Sequence, residues 1–157
     1  MSADLLYRND ENTCTTLVKI WGSILDVGAY AVIGPKVRID SGTWVGPHAV
    51  VKGPTQIGKN NQILQFASIG EMPQDLKYKG EDSGLEIGSD NIIREHVTMN
   101  PGTEGGGLIT RVGNNGVFMV GSHVAHDCLL GDNVILVNNA TLAGHVEIDD
   151  FAIVGGL

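Results

Sequence analysis

The feature that most constrains this sequence is an apolar residue that recurs at every sixth position. The repeat occupies Trp21, Val27, Ile33, Ile39, Val45, Val51, Ile57, Ile63, Ile69, Ile87, Ile93 and Met99 and, after a shift of one residue, Val112, Phe118, Val124, Leu130, Leu136, Leu142, Ile148 and Val154. An amphipathic helix repeats every 3.6 residues, and the strands of a sandwich recur every 8–12 residues or so, which excludes both. The period predicts an all-β parallel solenoid with three short strands and about 18 residues per coil.

Two companions of the repeat support this prediction. A small residue usually stands two positions before the apolar one, as at Ala31, Thr43, Ala49, Ala67, Ser122, Cys128, Ala140 and Ala152. Glycine often follows it, at Gly22, Gly28, Gly34, Gly46, Gly58, Gly70, Gly88, Gly113, Gly131 and Gly155. Because second neighbours share one face of a strand, the apolar and small residues should form internal ladders. We expect the glycines to let the chain turn its corners, since they lack a Cβ.

Two segments interrupt the repeat. Residues 70–86 and 100–111 are polar or glycine-rich and show no strand pattern. A solenoid breaks its repeat where a loop leaves the body, and such loops tend to carry function. The first loop places Gln74, Asp75 and Lys77 within four residues. We therefore predict one domain over residues 1–157, with about seven coils and two protruding loops.

Composition narrows the function classes. The formal net charge is −8, and the ten basic residues are scattered, which argues against nucleic acid as a main partner. No apolar run reaches the length of a membrane span, and no signal peptide opens the chain. The two cysteines, Cys14 and Cys128, suggest no disulfide framework. We expect a cytoplasmic protein.

The motif GSHVAHDC supplies candidate chemistry. With about 18 residues per coil, Gly144 and His145 should lie directly above His126 and Asp127, at the spacing of neighbouring strands. An imidazole beside a carboxylate is the usual arrangement of a general base, and a bare backbone N–H above it could receive an oxyanion. A metal site and exposed histidines without chemistry are the alternatives at this point.

The repeat resembles that of the hexapeptide-repeat acyltransferases, which implies a left-handed β-helix. Two segments are more specific. QFASIGEMPQDLKYKGE (65–81) and HVAHDCLLGDNVILVNNATLAGHVEIDDFAIVGG (123–156) resemble the UDP-N-acetylglucosamine O-acyltransferases of lipid A biosynthesis, and the resemblance covers about residues 21 to 157. It implies transfer of a 3-hydroxyacyl group from acyl carrier protein to the glucosamine 3-hydroxyl.

The resemblance also implies roles for individual residues. His126 would be the general base, Asp127 would orient it, and the N–H of Gly144 would hold the oxyanion. The substrate-binding residues implied are Gln74, Asp75, Lys77, Asn100, His123 and His145. Many relatives have a histidine where this chain has Asn100, so we expect that contact to be altered.

The family's properties lead to further expectations. Its members are homotrimers with the active site between neighbouring solenoids, and they need no metal or organic cofactor because a thioester is already activated. They continue beyond the point that corresponds to residue 157 with further coils and a C-terminal helical domain. We therefore expect full acyl transfer by this chain alone to be weak or absent.

Three alternatives remain. A related enzyme could transfer an acyl group to the amine of an amino sugar. A zinc enzyme like the γ-class carbonic anhydrases shares the fold, but the second and third histidines of that family are five residues apart, whereas His123 and His126 are three apart. A non-catalytic ice-binding or scaffold solenoid would need a repetitive outer face. The outward positions here are mixed, as Lys36, Arg38, His48, Lys52 and Gln56 illustrate.

Overall fold

A computed structural model describes the backbone of residues 3–6 and 17–21, and residues 26–156 in full. Within these ranges the chain forms 21 short strands and one 3₁₀ turn over Glu104–Gly106. The strands are β1 (Ala3–Leu6), β2 (Leu17–Trp21), β3 (Asp26–Val27), β4 (Val32–Ile33), β5 (Val37–Asp40), β6 (Trp44–Val45), β7 (Val50–Val51), β8 (Thr55–Ile57), β9 (Gln62–Ile63), β10 (Ser68–Ile69), β11 (Gly84–Ile87), β12 (Ile92–Ile93), β13 (Thr98–Met99), β14 (Ile109–Val112), β15 (Val117–Phe118), β16 (His123–Val124), β17 (Leu129–Leu130), β18 (Ile135–Leu136), β19 (Thr141–Leu142), β20 (Glu147–Ile148) and β21 (Ile153–Val154). None of the helical structure in these ranges is long and apolar enough to cross a membrane.

The strands form three sheets, which the chain visits in turn. Sheet A is ordered β1-β2-β5-β8-β11-β14-β17-β20, sheet B is β3-β6-β9-β12-β15-β18-β21, and sheet C is β4-β7-β10-β13-β16-β19. All neighbouring strands are parallel except β1, which pairs antiparallel with β2. The fold is a left-handed parallel β-helix, as predicted, and the seven strands of sheet B match the predicted number of coils.

The six-residue repeat forms the core. Within residues 26–156 its apolar residues are buried, except Val27, Ile148 and Val154 near the two ends of that range, which are partly buried and pack against the core. Most of the small residues two positions earlier are buried as well, for example Ala49 and Cys128, whereas Ala31 and Ala152 are partly buried. Fully burying each aliphatic side chain contributes about 1.5–3 kcal/mol, so the stacked ladders supply most of the drive to fold.

The predicted repeat is wrong by one residue at its N-terminal end, where it assigned Trp21 to the repeat position. In the register of β2 and β5, Ile20 pairs with Ile39, and Trp21 pairs with Asp40. Ile20 therefore takes the position expected of Trp21, because the spacing between these two strands is one residue longer than the repeat. Cys14 and Gly22 lie outside the described residues.

The corners are built differently from the prediction. Within residues 26–156, outside the two loops, the residue with positive φ comes three positions after the repeat residue, as at Asn60 (56°) and Asp127 (59°). At the start of the first loop, Gly70 (77°) instead follows the repeat residue Ile69 directly. Asparagine and aspartate tolerate this left-handed conformation better than most residues. The glycine directly after the repeat residue has another purpose. A Cβ on Gly46 would lie 2.8 Å from the backbone nitrogen of Gln65 in the next coil, so the coils could not approach.

One corner carries an exposed aromatic stack. Tyr30, His48, Phe66 and His96 occupy the left-handed position where the chain passes from sheet B to sheet C. Their rings stack in sequence, with centroids 5.1, 5.5 and 5.4 Å apart and interplanar angles of 13°, 14° and 7°. Stacking covers part of the apolar surface of these rings, which lie outside the core.

Both loops leave the body without disturbing the coil register. Ile69 pairs with Met99, and Met99 pairs with Val124, so the strands on either side of each loop stack as elsewhere. The next strands begin at Gly84 and Ile109, earlier than the sequence indicated. We call residues 70–83 loop 1 and residues 100–108 loop 2.

Candidate active site

The predicted site residues converge on one corner of the solenoid, where the chain passes from sheet C to sheet A. Loop 1 follows β10, loop 2 follows β13, and His126 and Asp127 follow β16. Gly144 and His145 follow β19 one coil further on. Because β10, β13, β16 and β19 are neighbours in sheet C, these four segments lie in sequence along a single edge. We call this the C–A edge.

His126 and Asp127 form a hydrogen-bonded pair. Nδ1 of His126 lies 2.9 Å from Oδ2 of Asp127. An ionised carboxylate only accepts hydrogen bonds, so Nδ1 carries the proton and donates it. Nε2 then bears the lone pair of a neutral imidazole. The His126 side chain is 16% exposed, which leaves part of it accessible to solvent.

Asp127 is buried and fully hydrogen-bonded. Its side chain is 0% exposed. Thr103 of loop 2 donates its backbone N–H to Oδ1 (2.8 Å) and its hydroxyl to Oδ2 (2.5 Å). Burial raises the pKa of Asp127, but the hydrogen bonds from Thr103 and His126 and the nearby His145 outweigh it, and the net pKa is lowered. The residue is thus held as a carboxylate.

Gly144 and His145 lie above this pair, as the coil arithmetic predicted. A Cβ on Gly144 would come within 2.5 Å of Nε2 of His126, so the imidazole occupies the space that a side chain would need. Within residues 26–156 the N–H of Gly144 has no hydrogen-bond acceptor. The ring of His145 meets that of His126 edge-on, with centroids 5.0 Å apart. Its Nδ1 is 3.9 Å from Oδ2 of Asp127, too far for a hydrogen bond.

His123 lies in β16, three residues before His126 in the same coil, and is partly buried. Its Nδ1 makes a 2.7 Å hydrogen bond with the hydroxyl of Thr98 in the preceding coil. Burial, and then the charge of a protonated His126, lower the pKa of His123. The neutral form is therefore favoured, and its Nε2 remains for a contact with a ligand.

Loop 1 presents the predicted polar residues. Gln74 and Lys77 are exposed, whereas Asp75 is partly buried. Oδ1 of Asp75 accepts the N–H of Lys77 (2.9 Å), and its backbone oxygen accepts the N–H of Tyr78 (3.0 Å), which forms a tight turn. Among the described residues, no hydrogen bond or ion pair links Gln74, Asp75 or Lys77 to the His126–Asp127 pair. They share its edge without touching it.

Asn100 supports loop 1 from within. It is 5% exposed, and its Nδ2 donates to the backbone oxygens of Glu71 (2.9 Å) and Met72 (3.5 Å). Lys52 also holds the loop, with Nζ 2.6 Å from Oε2 of Glu71, and this contact lowers the pKa of Glu71. In this chain, the side-chain amide of Asn100 donates its hydrogen bonds to the backbone of loop 1.

Sequence reasoning missed the threonines of the site. Thr98 and Thr103 hold His123 and Asp127, and Thr110 accepts the backbone N–H of Asp127 at 2.8 Å. Thr98 could have been found, because it precedes Met99 by one position, as His123 precedes Val124. Thr103 could not, since its place depends on the path of loop 2.

A metal ion is the competing interpretation of this cluster. Ligand atoms of His126, Asp127 and His145 lie within 4.8 Å of one another. However, Oδ2 of Asp127 already accepts from Thr103 and His126, and Oδ1 accepts from Thr103. A zinc ion between these groups would have to displace the hydrogen bond between His126 and Asp127. The hydrogen bonding favours an acid–base pair.

Comparison with known proteins identifies close relatives. The sequence matches no protein-family model. LpxA from Acinetobacter baumannii is 48% identical over 92% of this chain, with a TM-score of 0.86. The UDP-N-acetylglucosamine O-acyltransferase (LpxA) from Moraxella catarrhalis is 46% identical over 87%, with a TM-score of 0.84. LpxA from Bacteroides fragilis, a UDP-N-acetylglucosamine acyltransferase, is 38% identical over 91%, with a TM-score of 0.73. The chain covers 57%, 53% and 57% of these proteins, respectively.

Proposed function

Because the chain belongs to the UDP-N-acetylglucosamine acyltransferase family, we propose that it carries the acyl-transfer centre of such an enzyme, with His126 as general base. The observation that carries the proposal is the hydrogen bond of His126 to a buried Asp127, beneath the N–H of Gly144, which has no acceptor among residues 26–156. The reaction is transfer of a 3-hydroxyacyl group from acyl carrier protein to the 3-hydroxyl of UDP-N-acetylglucosamine, the first step of lipid A synthesis.

The proposed chemistry follows from the protonation states. Nε2 of His126 takes the proton of the sugar 3-hydroxyl while its oxygen attacks the thioester carbonyl. Asp127 stabilises the resulting imidazolium through Nδ1. The N–H of Gly144 receives the oxyanion of the tetrahedral intermediate. The C–S bond then breaks, and the imidazolium returns the proton to the leaving thiolate. A thioester needs no further activation, so this scheme uses no metal or cofactor.

The substrate contacts are assigned to the rest of the C–A edge. Gln74, Asp75 and Lys77 of loop 1 would bind the sugar nucleotide, where Lys77 offers a cation to the diphosphate. His123, in the same coil as His126, and His145, one coil further on, would contact the substrate beside His126. Asn100 would act indirectly, by holding loop 1.

A product assay tests the function. The chain is incubated with UDP-N-acetylglucosamine and 3-hydroxyacyl carrier protein, and the product is analysed by mass spectrometry. We expect only slow ester formation with the unmodified chain and none with His126→Ala. An amide product would support the N-acyltransferase alternative. Product formation that persists in His126→Ala would refute the role of His126.

A homotrimer with the C–A edge in the cleft between solenoids is part of the proposal, as is a cytoplasmic location. Gln74 and Lys77 do not touch His126 within one chain, which is the arrangement expected if a substrate spans a cleft. Light scattering should give about three times 16.6 kDa, and UDP-N-acetylglucosamine should raise the melting temperature without changing the mass. A monomer that does not respond to the ligand would contradict this assembly.

A further inference from the structure

Thr103 makes an unusual use of its hydroxyl. It precedes the 3₁₀ turn Glu104–Gly106 in the extended conformation of an N-cap (φ −129°, ψ 164°), yet its side chain makes no capping hydrogen bond. A threonine in this position ordinarily accepts a hydrogen bond from its own helix. Here the hydroxyl donates to Oδ2 of Asp127 instead, and the backbone N–H donates to Oδ1. Thr103 thus contacts both oxygens of a single carboxylate.

The surroundings leave no other source for these hydrogen bonds. Thr103 is 3% exposed and the Asp127 side chain 0%, so water does not solvate the pair. The backbone of loop 2 covers Asp127 so closely that a Cβ on Gly106 would collide with the carboxyl group. A buried carboxylate without such donors would be costly. Thr103 is therefore the main group that keeps Asp127 ionised apart from His126 itself.

Loop 2 is itself fixed in place. The backbone oxygen of Thr103 accepts the N–H groups of Gly106 (3.1 Å) and Leu108 (2.9 Å). The next residue, Glu104, donates its N–H to Oε1 of Glu81 in loop 1 at 3.1 Å. The two loops are therefore joined one residue away from the group that holds Asp127. This connection links the segment assigned to the sugar nucleotide with the catalytic pair.

We propose that Thr103 is a positioning residue that holds Asp127 as a carboxylate facing Nδ1 of His126 and so fixes the His126 tautomer. The catalytic importance of Thr103 rests on the proposed function, whereas its hydrogen bonds to Asp127 are observed independently of that function. If Thr103 loses its hydroxyl, Oδ2 loses a charge-assisted donor that nothing else replaces. The carboxyl group then gains a proton more readily and, held only by the N–H of Thr103 at Oδ1, can turn Oδ2 away from Nδ1 of His126, so the proton of the neutral imidazole is no longer confined to Nδ1.

The titratable groups near the pair are His145, one coil above it, and His123, three residues before His126 in the same coil. His145 is 3.9 Å from Asp127, and His123 belongs to the preceding residues of the same corner. Cys128, beside Asp127, is buried, and burial raises the pKa of its thiol, so it stays neutral in the range of the experiment. Thr103→Val leaves all of these groups in place.

The test follows the Asp127 carboxyl and the His126 ring by NMR in the unmodified chain, Thr103→Val and Thr103→Ser. We expect Thr103→Val to raise the pKa of Asp127 by about one unit, because the hydroxyl hydrogen bond is lost. We expect His126 nitrogen shifts to change from the Nδ1–H tautomer to a mixture. Thr103→Ser retains a hydroxyl and should restore both signals. An unchanged Asp127 titration with an unchanged tautomer in Thr103→Val overturns the proposal.

A second measurement needs no variant that removes the hydroxyl. In the unmodified chain, the amide proton of Thr103 should shift in step with the Asp127 carboxyl as pH is lowered, because this N–H donates to Oδ1. A Thr103 amide that does not follow Asp127 also overturns the proposal. Neither signal requires substrate. Ester formation that persists in His126→Ala would therefore refute the proposed function and leave the link between Thr103 and Asp127 standing.

Discussion

Gly144 lies so close to His126 that the imidazole fills the space of its missing side chain. A Cβ at Gly144 would lie within 2.5 Å of both Cε1 and Nε2 of His126, closer than real Cβ atoms come to other heavy atoms. Gly144 does not have a positive φ, so backbone conformation does not require glycine here. Glycine is required because the ring of His126, in the neighbouring coil, occupies the space that a Cβ at residue 144 would need.

Gly144→Ala should therefore disable the site while preserving the fold. The new methyl group pushes His126 away from both Asp127 and the N–H of Gly144, and we expect transfer to fall about 100-fold, as when an oxyanion donor is lost. The matched control is Gly155→Ala, where a Cβ would meet nothing within 4 Å. Ester formation and circular dichroism are compared for both variants. Equal activity in Gly144→Ala and Gly155→Ala would rule out this arrangement.

Asp127→Asn should destabilise the protein in a way that depends on pH. An asparagine must direct an N–H₂ group towards a donor of Thr103 or His126, which leaves buried groups unpaired and costs about 1–3 kcal/mol at pH 7. The folded pKa of Asp127 is lowered, so its carboxylate stabilises the fold above the ordinary carboxyl pKa, and this contribution is lost as the pH falls through the folded value.

The measurement is urea unfolding of both chains at pH 7 and near pH 3. The free-energy difference between the unmodified chain and Asp127→Asn should narrow at the lower pH. Asp149→Asn is the control, because Asp149 is exposed and makes no hydrogen bond from its side chain in the described structure. A difference that stays constant with pH would mean that the carboxylate does not contribute as described.

The fold could be predicted from the sequence because a single rule, one inward apolar residue in six, applies in every coil. Burial of residues such as Ile39, Ile69 and Leu136 follows from that rule alone. The corners could not be read in the same way. Glycine after the repeat residue looked like a turn signal, but the turn occurs two positions later, at residues such as Asn60. What the glycine provides is close contact between coils, which depends on the neighbouring chain rather than on local conformation.

The site was predictable where it follows the coil arithmetic and not where it depends on the loops. Counting one coil from His126 placed Gly144 above it, and the structure agrees. The partners of Asp127 come from loop 2, whose path obeys no repeat, so Thr103 was invisible in the sequence. The role of Asn100 was also obscured, because its contacts are the backbone oxygens of loop 1 rather than a motif.

His123 should make stability depend on pH below about 6.5, the ordinary pKa of histidine. Burial, followed by the charge of a protonated His126, lowers the folded pKa of His123, whereas the unfolded histidine keeps a value near 6.5. Between the two pKa values the unfolded chain binds more protons than the folded chain. The free energy of unfolding therefore rises with pH in this range and decreases as the pH is lowered. Urea unfolding across this range should show a shallower slope for His123→Gln. An identical slope would show that His123 does not titrate as proposed.

Asn100→Ala should weaken the binding of UDP-N-acetylglucosamine without touching the catalytic pair. The variant removes the Nδ2 donor from the backbone oxygens of Glu71 and Met72, which loosens the base of loop 1. One lost hydrogen bond of about 1.4 kcal/mol corresponds to about a tenfold higher Kd. Calorimetry gives Kd, and amide exchange at Tyr78, whose N–H donates to Asp75 within loop 1, reports on the order of the loop.

Asn138→Ala is the matched control, since Asn138 is exposed and distant in sequence from either loop. Faster exchange at Tyr78 together with a higher Kd would establish that loop 1 binds the nucleotide and that Asn100 acts through it. Faster exchange with an unchanged Kd would instead remove loop 1 from the binding site.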